Sequence, residues 1–169
     1  MRFPEEVHAE LAAAGVRVVG YVPDAGHKRL IELCHADRRI RAVALTTEED
    51  GIGLAAGAWL GGQRSVLLMQ SSGVGNIINV LGMVKVCRFP LVMVVTMRGE
   101  AGEFNSWQVP MGQGTPAVLE AMGVAVTRAE KAEQIAPLVK KAFLEGSSQA
   151  VLIAQKVVGI KSFQEQRNQ

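Results

Sequence analysis

The chain has 169 residues, enough for one domain with a proper core, since domains commonly run to roughly 100–200 residues. Apolar residues make up 49% and charged residues 20%, with 18 glycines and 5% aromatics, a profile that excludes disorder and fits a helix-and-sheet protein built on Ala, Val and Leu. The formal net charge of +2 comes from 18 basic and 16 acidic residues spread along the chain, which excludes the clustered basic face that nucleic acid binding requires.

The first segment, MRFPEEVHAELAAAG, predicts a helix over residues 4–14. It carries acids and a histidine where a signal peptide has a basic run and an apolar core. No uninterrupted apolar run approaches the ~20 residues of a membrane span, so the expectation is a cytoplasmic chain without a membrane partner. VRVVGYV (16–22) follows as a strand, then a helix over 26–36 and a second strand, RAVALT (41–46). A helix over 48–61, the strand SVLLM (65–69), a helix over 74–87 and the strand PLVMVVT (90–96) come next. A long polar, Gly-rich connection spans Arg98 to Gly114, and long ordered loops in compact domains are often functional. After it come a helix over 115–122, the strand GVAVT (123–127), a helix over 130–145 and the strand AVLIA (150–154). From Gly159 the sequence is a polar tail, leaving a single domain over 1–158 and a tail over 159–169. The two cysteines, Cys34 and Cys87, each fall in an apolar helical segment and read as reduced, partly buried thiols.

This alternation predicts an α/β fold, a three-layer α/β/α sandwich with a mainly parallel sheet of about six strands, because strands apolar on both faces need helices on both sides. In such a sheet ligands sit beyond the carboxyl ends of the strands. The turns at that edge are YVPDAGHK, TTEEDG, QSSGVGN and TMRGEAGEFNSWQVPMGQG.

Each turn has a structural and a chemical reading. In TTEEDG, Thr46 or Thr47 serves as N-cap, Glu49 or Asp50 closes a capping box, and acids in a first turn favour the helix dipole. That accounts for two of three acids. The following GIGLAAGAWLGG is too Gly-rich for helix propensity alone and points to close approach of another surface. A carboxylate at the mouth of such an interface is desolvated, which favours its protonated form and suits it to proton handling. QSSGVGN is either a structural turn or an anion-binding one, but it lacks the Lys of a P-loop and offers the neutral groups Gln70, Ser71, Ser72, Asn76 and Asn79. In YVPDAGHK, Asp24 is a helix cap or a site carboxylate, and His27 is a solvated helix residue or an acid–base group near neutral pH.

Five blocks in order, GYVPDAGHKRLI (20–31), EEDGIGLAAGAWLGG (48–62), LMQSSGVGNIINVLG (68–82), FPLVMVVTMRGEAGE (89–103) and QVPMGQGT (108–115), resemble the pyrimidine-binding (PYR) domain of thiamine diphosphate-dependent enzymes. The resemblance is to decarboxylases of the sulfopyruvate and phosphonopyruvate kind. It implies that Glu48 hydrogen-bonds N1' of the cofactor's aminopyrimidine and favours its imino tautomer, while Glu49 and Asp50 cap or face a partner. It implies a catalytic, substrate-side role for Asp24 and a cofactor- and substrate-lining role for Gln70, Ser71, Ser72, Asn76 and Asn79; a direct catalytic and substrate-binding role for His27 is inferred from its place in the same turn. Met111 would pack on the cofactor ring and Gln113 would flank the substrate, where related alpha chains tend to carry Arg. The resemblance further implies a small-molecule 2-oxo acid as substrate. It also implies Mg2+ and the cofactor's diphosphate held mainly by a pyrophosphate-binding (PP) domain on a beta subunit, because that domain's GDG motif does not occur here. The alternative within the same cofactor class is a C–C lyase or carboligase acting on 2-hydroxyketones. A nucleotide phosphate-binding protein and a domain that only binds a partner stand as the readings outside it.

Overall fold

The computed structural model describes residues 3–159; the predicted polar tail beyond Gly159 lies outside the described residues. Element order is α1 (Phe3–Ala13), β1 (Val16–Tyr21), α2 (Lys28–Ala36), β2 (Arg41–Ala44), α3 (Glu48–Leu60), β3 (Arg64–Gln70), α4 (Ser71–Ile77), α5 (Leu81–Cys87), β4 (Val92–Thr96), α6 (Val109–Ala121), β5 (Ala125–Ala129), α7 (Ala132–Leu144), β6 (Gln149–Ile153) and α8 (Gln155–Val158). A 3-10 turn, Ser106–Gln108, leads into α6. The six strands form one sheet in the order β2-β1-β3-β4-β6-β5, and every described pair is parallel.

The strand sequences dictate the layering. Side chains alternate across a strand, and in β3 Val66 and Leu68 enter one core while Leu67 and Met69 enter the other. The first core is closed by α1, α2 and α7 through Val7, Leu11, Leu30, Ile135 and Val139. The second is closed by α3 to α6 through Ile52, Val74, Leu81, Val84 and Leu119. The central strands β4 and β6 are buried throughout, whereas the edge strands β2 and β5 are only partly buried and carry Arg41 and Arg128. Charged edge residues of this kind discourage strand addition. Helix α1 also packs on α7, so the first helix closes against one of the last.

Several boundaries differ from the sequence reading, each for a local reason. The helix expected over 74–87 is two helices, because Asn79 and Val80 carbonyls accept tight bonds from Gly82 and Met83 amides and turn the chain between them. Helix α6 starts at Val109 rather than 115: Pro110 sits in its first turn, where its missing N–H costs nothing. The short α8 had no periodic signal at four residues. Thr47 is the N-cap of α3, but its side chain makes no capping bond and no capping box forms there. The cap of α2 is His27 rather than Asp24. Cys34 is buried, which pushes its thiol up to about 12, whereas Cys87 is exposed instead of partly buried.

The small-residue helix α3 divides into two kinds of glycine. A Cβ on Gly51 would lie 2.5 Å from Leu67 Cδ1, so this glycine lets α3 seat on β3. Gly53 and Gly57 have nothing within 4 Å of that position, and Leu60 at the helix end is 80% exposed. The close approach inferred from sequence is thus internal at Gly51 and open at the other two. Gly51→Ala should destabilise the isolated chain by about 1–3 kcal/mol through overpacking. Gly57→Ala should stabilise it by up to about 1 kcal/mol through helix propensity, and urea unfolding of the two variants side by side checks the contrast.

Candidate active site

The carboxyl edge of the sheet gathers the turns after β1, β2, β3 and β4, as the sequence placed them. Glu48 opens α3 on this edge. Its neighbours Glu49 and Asp50 are exposed, but Glu48 is only 5% exposed. The Asn76 side-chain amide of α4 donates to Glu48 Oε2 at 2.8 Å. A Cβ on Gly73 would collide with the Glu48 carboxylate, so the glycine in QSSGVGN makes the cradle in which that carboxylate lies. No described ion pair engages Glu48; its described side-chain partner is a neutral amide. A buried carboxylate without a cation keeps hydrogen-bonding capacity for a ligand.

Around it, α4 presents Ser72, Gly75 and Asn76 on one stripe at helical spacing, with exposed Asn79 in the turn that follows. Met111 of α6 leans on this stripe: its sulfur lies 3.3 Å from where a Gly75 Cβ would be. Gln70 ends β3 and caps α4, and its buried Oε1 has no hydrogen-bond partner. Glu48, Asn76, Gly73, Gly75 and Met111 therefore form one contiguous group, with Gln70 at its base.

Asp24 stands in the adjacent turn. Its Oδ2 accepts from the Gly26 amide at 3.0 Å and from the Thr96 hydroxyl at 2.8 Å, tying the end of β1 to the end of β4. A Gly26 side chain has no room, since a Cβ would lie 2.7 Å from Thr96 Cγ2. His27 departs from expectation. It is wholly buried, with Nε2 at 3.2 Å from the Met69 carbonyl and 3.1 Å from that of Val94. Burial lowers its pKa below that of an exposed histidine, against the opposing pull of Asp24. Its ring is therefore a neutral element of the scaffold with no solvent-facing edge.

Two further expected residues stand apart from Glu48. Ser71 is buried, and its hydroxyl oxygen accepts the Arg98 amide at 2.9 Å, so it pins the loop after β4 to the start of α4. Gln113 lies on another face of α6, over a cleft of about 640 Å³ that it shares with Glu100, Arg128, Glu130 and Lys156. Arg128 pairs there with Glu100 and Glu130, and Lys156 with Glu130.

The structure adds groups the sequence reading passed over. Arg98 and Glu103 form a buried ion pair, Nε to Oε2 at 2.7 Å. The Glu103 carboxylate also accepts from the amides of Gly99 and Asn105 and from the Gln155 side chain. The guanidinium, helped by these amides and opposed by burial, holds Glu103 well below the usual carboxylate range. Gln155 and Glu100 exchange two more bonds, so the loop is fastened to the start of α8. A Gly112 side chain would run into the Arg98 carbonyl, which explains the glycine in PMGQG. The acids in RGEAGEF were visible; their inward direction was not. Thr96 was read as the last residue of a strand, and only the fold brings it to Asp24.

A buried, uncharged-partner carboxylate at a helix start on the carboxyl edge of a parallel sheet defines a ligand-binding α/β domain. Residues 1–108 match the family model described as thiamine pyrophosphate enzyme, N-terminal TPP binding domain, and the chain belongs to that family. It is 37% identical over 143 residues to the sulfopyruvate decarboxylase subunit alpha of Methanococcus maripaludis, covering 84% of this chain and 86% of that one. It is 36% identical over 154 residues to the protein of the same name from Methanothermobacter thermautotrophicus, covering 88% and 93%. The phosphonopyruvate decarboxylase of Streptomyces hygroscopicus matches at 38% over 96 residues, 56% of this chain and 24% of that one. Among solved structures, a 2-oxoglutarate:ferredoxin oxidoreductase from Magnetococcus marinus superposes with a TM-score of 0.71 at 13% identity, over 98% of this chain and 34% of that one, which establishes the shared fold.

The residues fit the family's cofactor. The Gly73 cradle leaves the Glu48 carboxylate beside an open stripe of α4, and the orphaned Gln70 Oε1 is an acceptor awaiting a donor. Among the described residues no group of three His, Cys, Asp or Glu side chains is placed to hold a metal ion.

Proposed function

We propose that the chain is the alpha, PYR-type subunit of a heteromeric thiamine diphosphate-dependent 2-oxo acid decarboxylase of the sulfopyruvate decarboxylase kind. The observation that carries this reading is the Glu48 carboxylate, buried against Gly73 with the Asn76 amide as its neutral partner. When bound, thiamine diphosphate supplies the electron-sink chemistry that lets a 2-oxo acid lose carbon dioxide. This chain's part is to place a proton. Glu48 holds the proton shared with N1' of the aminopyrimidine, and Asn76 fixes the carboxylate's orientation while leaving one oxygen edge for the ring. Met111, packed against Gly75, would give the ring an apolar support. Asp24, tied by Gly26 and Thr96, presents its remaining oxygen to the substrate side.

The diphosphate and Mg2+ would be held by a beta subunit that carries the PP domain, closing over α3, where Gly53 and Gly57 are open to a neighbour. Gln113 brings no charge to the substrate, and the Arg98 guanidinium is already neutralised by Glu103. Binding of an anionic substrate group would therefore fall largely to the partner. Calorimetry with thiamine diphosphate and Mg2+ tests the reading: the chain co-assembled with its partner should bind the cofactor, and neither chain alone should. Binding by this chain alone would refute the divided site, and absence of 2-oxo acid decarboxylation by a cofactor-loaded pair would favour the lyase or carboligase reading.

A further inference from the structure

His27 is wholly buried, next to the turn that carries Asp24, yet it has no edge open to a ligand. Both atoms within reach of its Nε2 are carbonyl oxygens, those of Met69 in β3 and Val94 in β4, so Nε2 must carry the proton. Nδ1 then bears the bare lone pair, in agreement with its lack of any partner. One N–H thus bridges two neighbouring strands from a residue only three positions after Asp24. The Asp24 carboxylate is held at the same strand ends, by the Thr96 hydroxyl and the Gly26 amide.

From this geometry we propose that His27 is a positioning residue. As the neutral Nε2–H tautomer it staples the β1–α2 turn to the ends of β3 and β4, and so fixes where Asp24 points. It acts through Asp24 and does not exchange protons with the substrate. The staple itself is independent of the proposed reaction; only its kinetic consequence rests on that reading.

Two replacements separate the staple from simple core filling. His27→Leu keeps comparable apolar bulk but removes the donor, whereas His27→Gln keeps an N–H that can reach the carbonyls. Amide hydrogen exchange on the chain alone reads the Gly26 amide, whose partner is Asp24. The Leu variant should exchange at Gly26 about tenfold faster than wild type, the worth of one hydrogen bond, while Val94 and Val151 in the sheet keep their protection. The Gln variant should keep wild-type protection at Gly26. In the assembled enzyme, His27→Leu should lower kcat with little change in KM. Its effect should vanish in an Asp24→Asn background, since residues acting as one unit are not additive.

The pH dependence supplies a third readout. Burial lowers the His27 pKa and Asp24, the charged group acting on it, opposes that. The unfolded chain therefore takes up the proton first. Wild-type stability should fall as pH drops below about 6.5 and carry no His27 slope above it, and both variants should lose that slope. Unchanged Gly26 exchange in the Leu variant, or kinetic losses that add to those of Asp24→Asn, would overturn the proposal. If Leu fails to fold, loss of Gly26 protection in the Gln variant overturns it just as directly. An inactive wild-type pair would count against the proposed reaction, while Gly26 exchange would still decide the staple.

Discussion

Replacing Glu48 by glutamine should lower turnover of the assembled enzyme by roughly 10²–10⁴-fold, the range contributed by a well-placed acid–base group. The amide is close to the carboxylate in shape, so it fits the Gly73 cradle and can still meet Asn76. What it lacks is the capacity to hold a proton opposite N1'. Thermal melting of the variant should match wild type, because no ion pair is lost, and cofactor affinity should fall far less than turnover. The experiment measures carbon dioxide release and melting on the same preparation. Near-normal turnover would strip Glu48 of its role, whereas a collapse of both quantities would make it a structural residue.

The second large effect concerns stability. Glu103→Ala leaves Arg98 buried without its partner and frees the amides of Gly99 and Asn105 and the Gln155 side chain. Breaking a buried pair from one side costs about 3–5 kcal/mol, a large share of the ~5–15 kcal/mol that holds a domain folded. Urea unfolding of the chain alone should show it as a lower midpoint. Replacing both members, Arg98→Met with Glu103→Leu, should recover part of the loss, since the desolvated charge is then gone, while the Gly99 and Asn105 amides stay without their acceptor. Because Glu103 is held below the usual carboxylate range, the native state binds its proton less tightly than the unfolded chain. Its contribution is complete above about pH 4.3 and drains away as the pH falls further. An equal midpoint for wild type and Glu103→Ala at neutral pH would contradict this account.

The fold was legible because periodicity and the edge rule speak directly in this sequence. Six apolar runs between helical segments became six parallel strands, and the four special turns fell on one edge. Glu48 was singled out by the resemblance to the PYR domain, the run of three acids having only raised the question, and it is the buried one of the three. Inward direction, by contrast, is not written in residue type. Glu103 and Glu100 look alike in RGEAGEF, but only the path of the loop turns Glu103 onto Arg98 while Glu100 reaches Gln155 and Arg128. His27 misled because its chemistry near neutral pH is real in water and is suppressed by burial between two strands. Gln113 and Met111 are two residues apart, yet a helix sends such neighbours to different faces, so one meets α4 and the other the cleft.

The seating of α1 on α7 bears on how the molecule is made. Phe3, Val7 and Leu11 belong to the same core as Ile135 and Val139. Synthesis at roughly 5–20 residues per second therefore leaves the first helix without its cover on the order of ten seconds, until the later one leaves the ribosome. During that interval the nascent chain carries an apolar stripe that α2 and β1, made soon after it, shield only in part. Holding factors that bind such stripes early should raise the yield of folded protein, and a circular permutant that brings the two helices together in sequence should need them less.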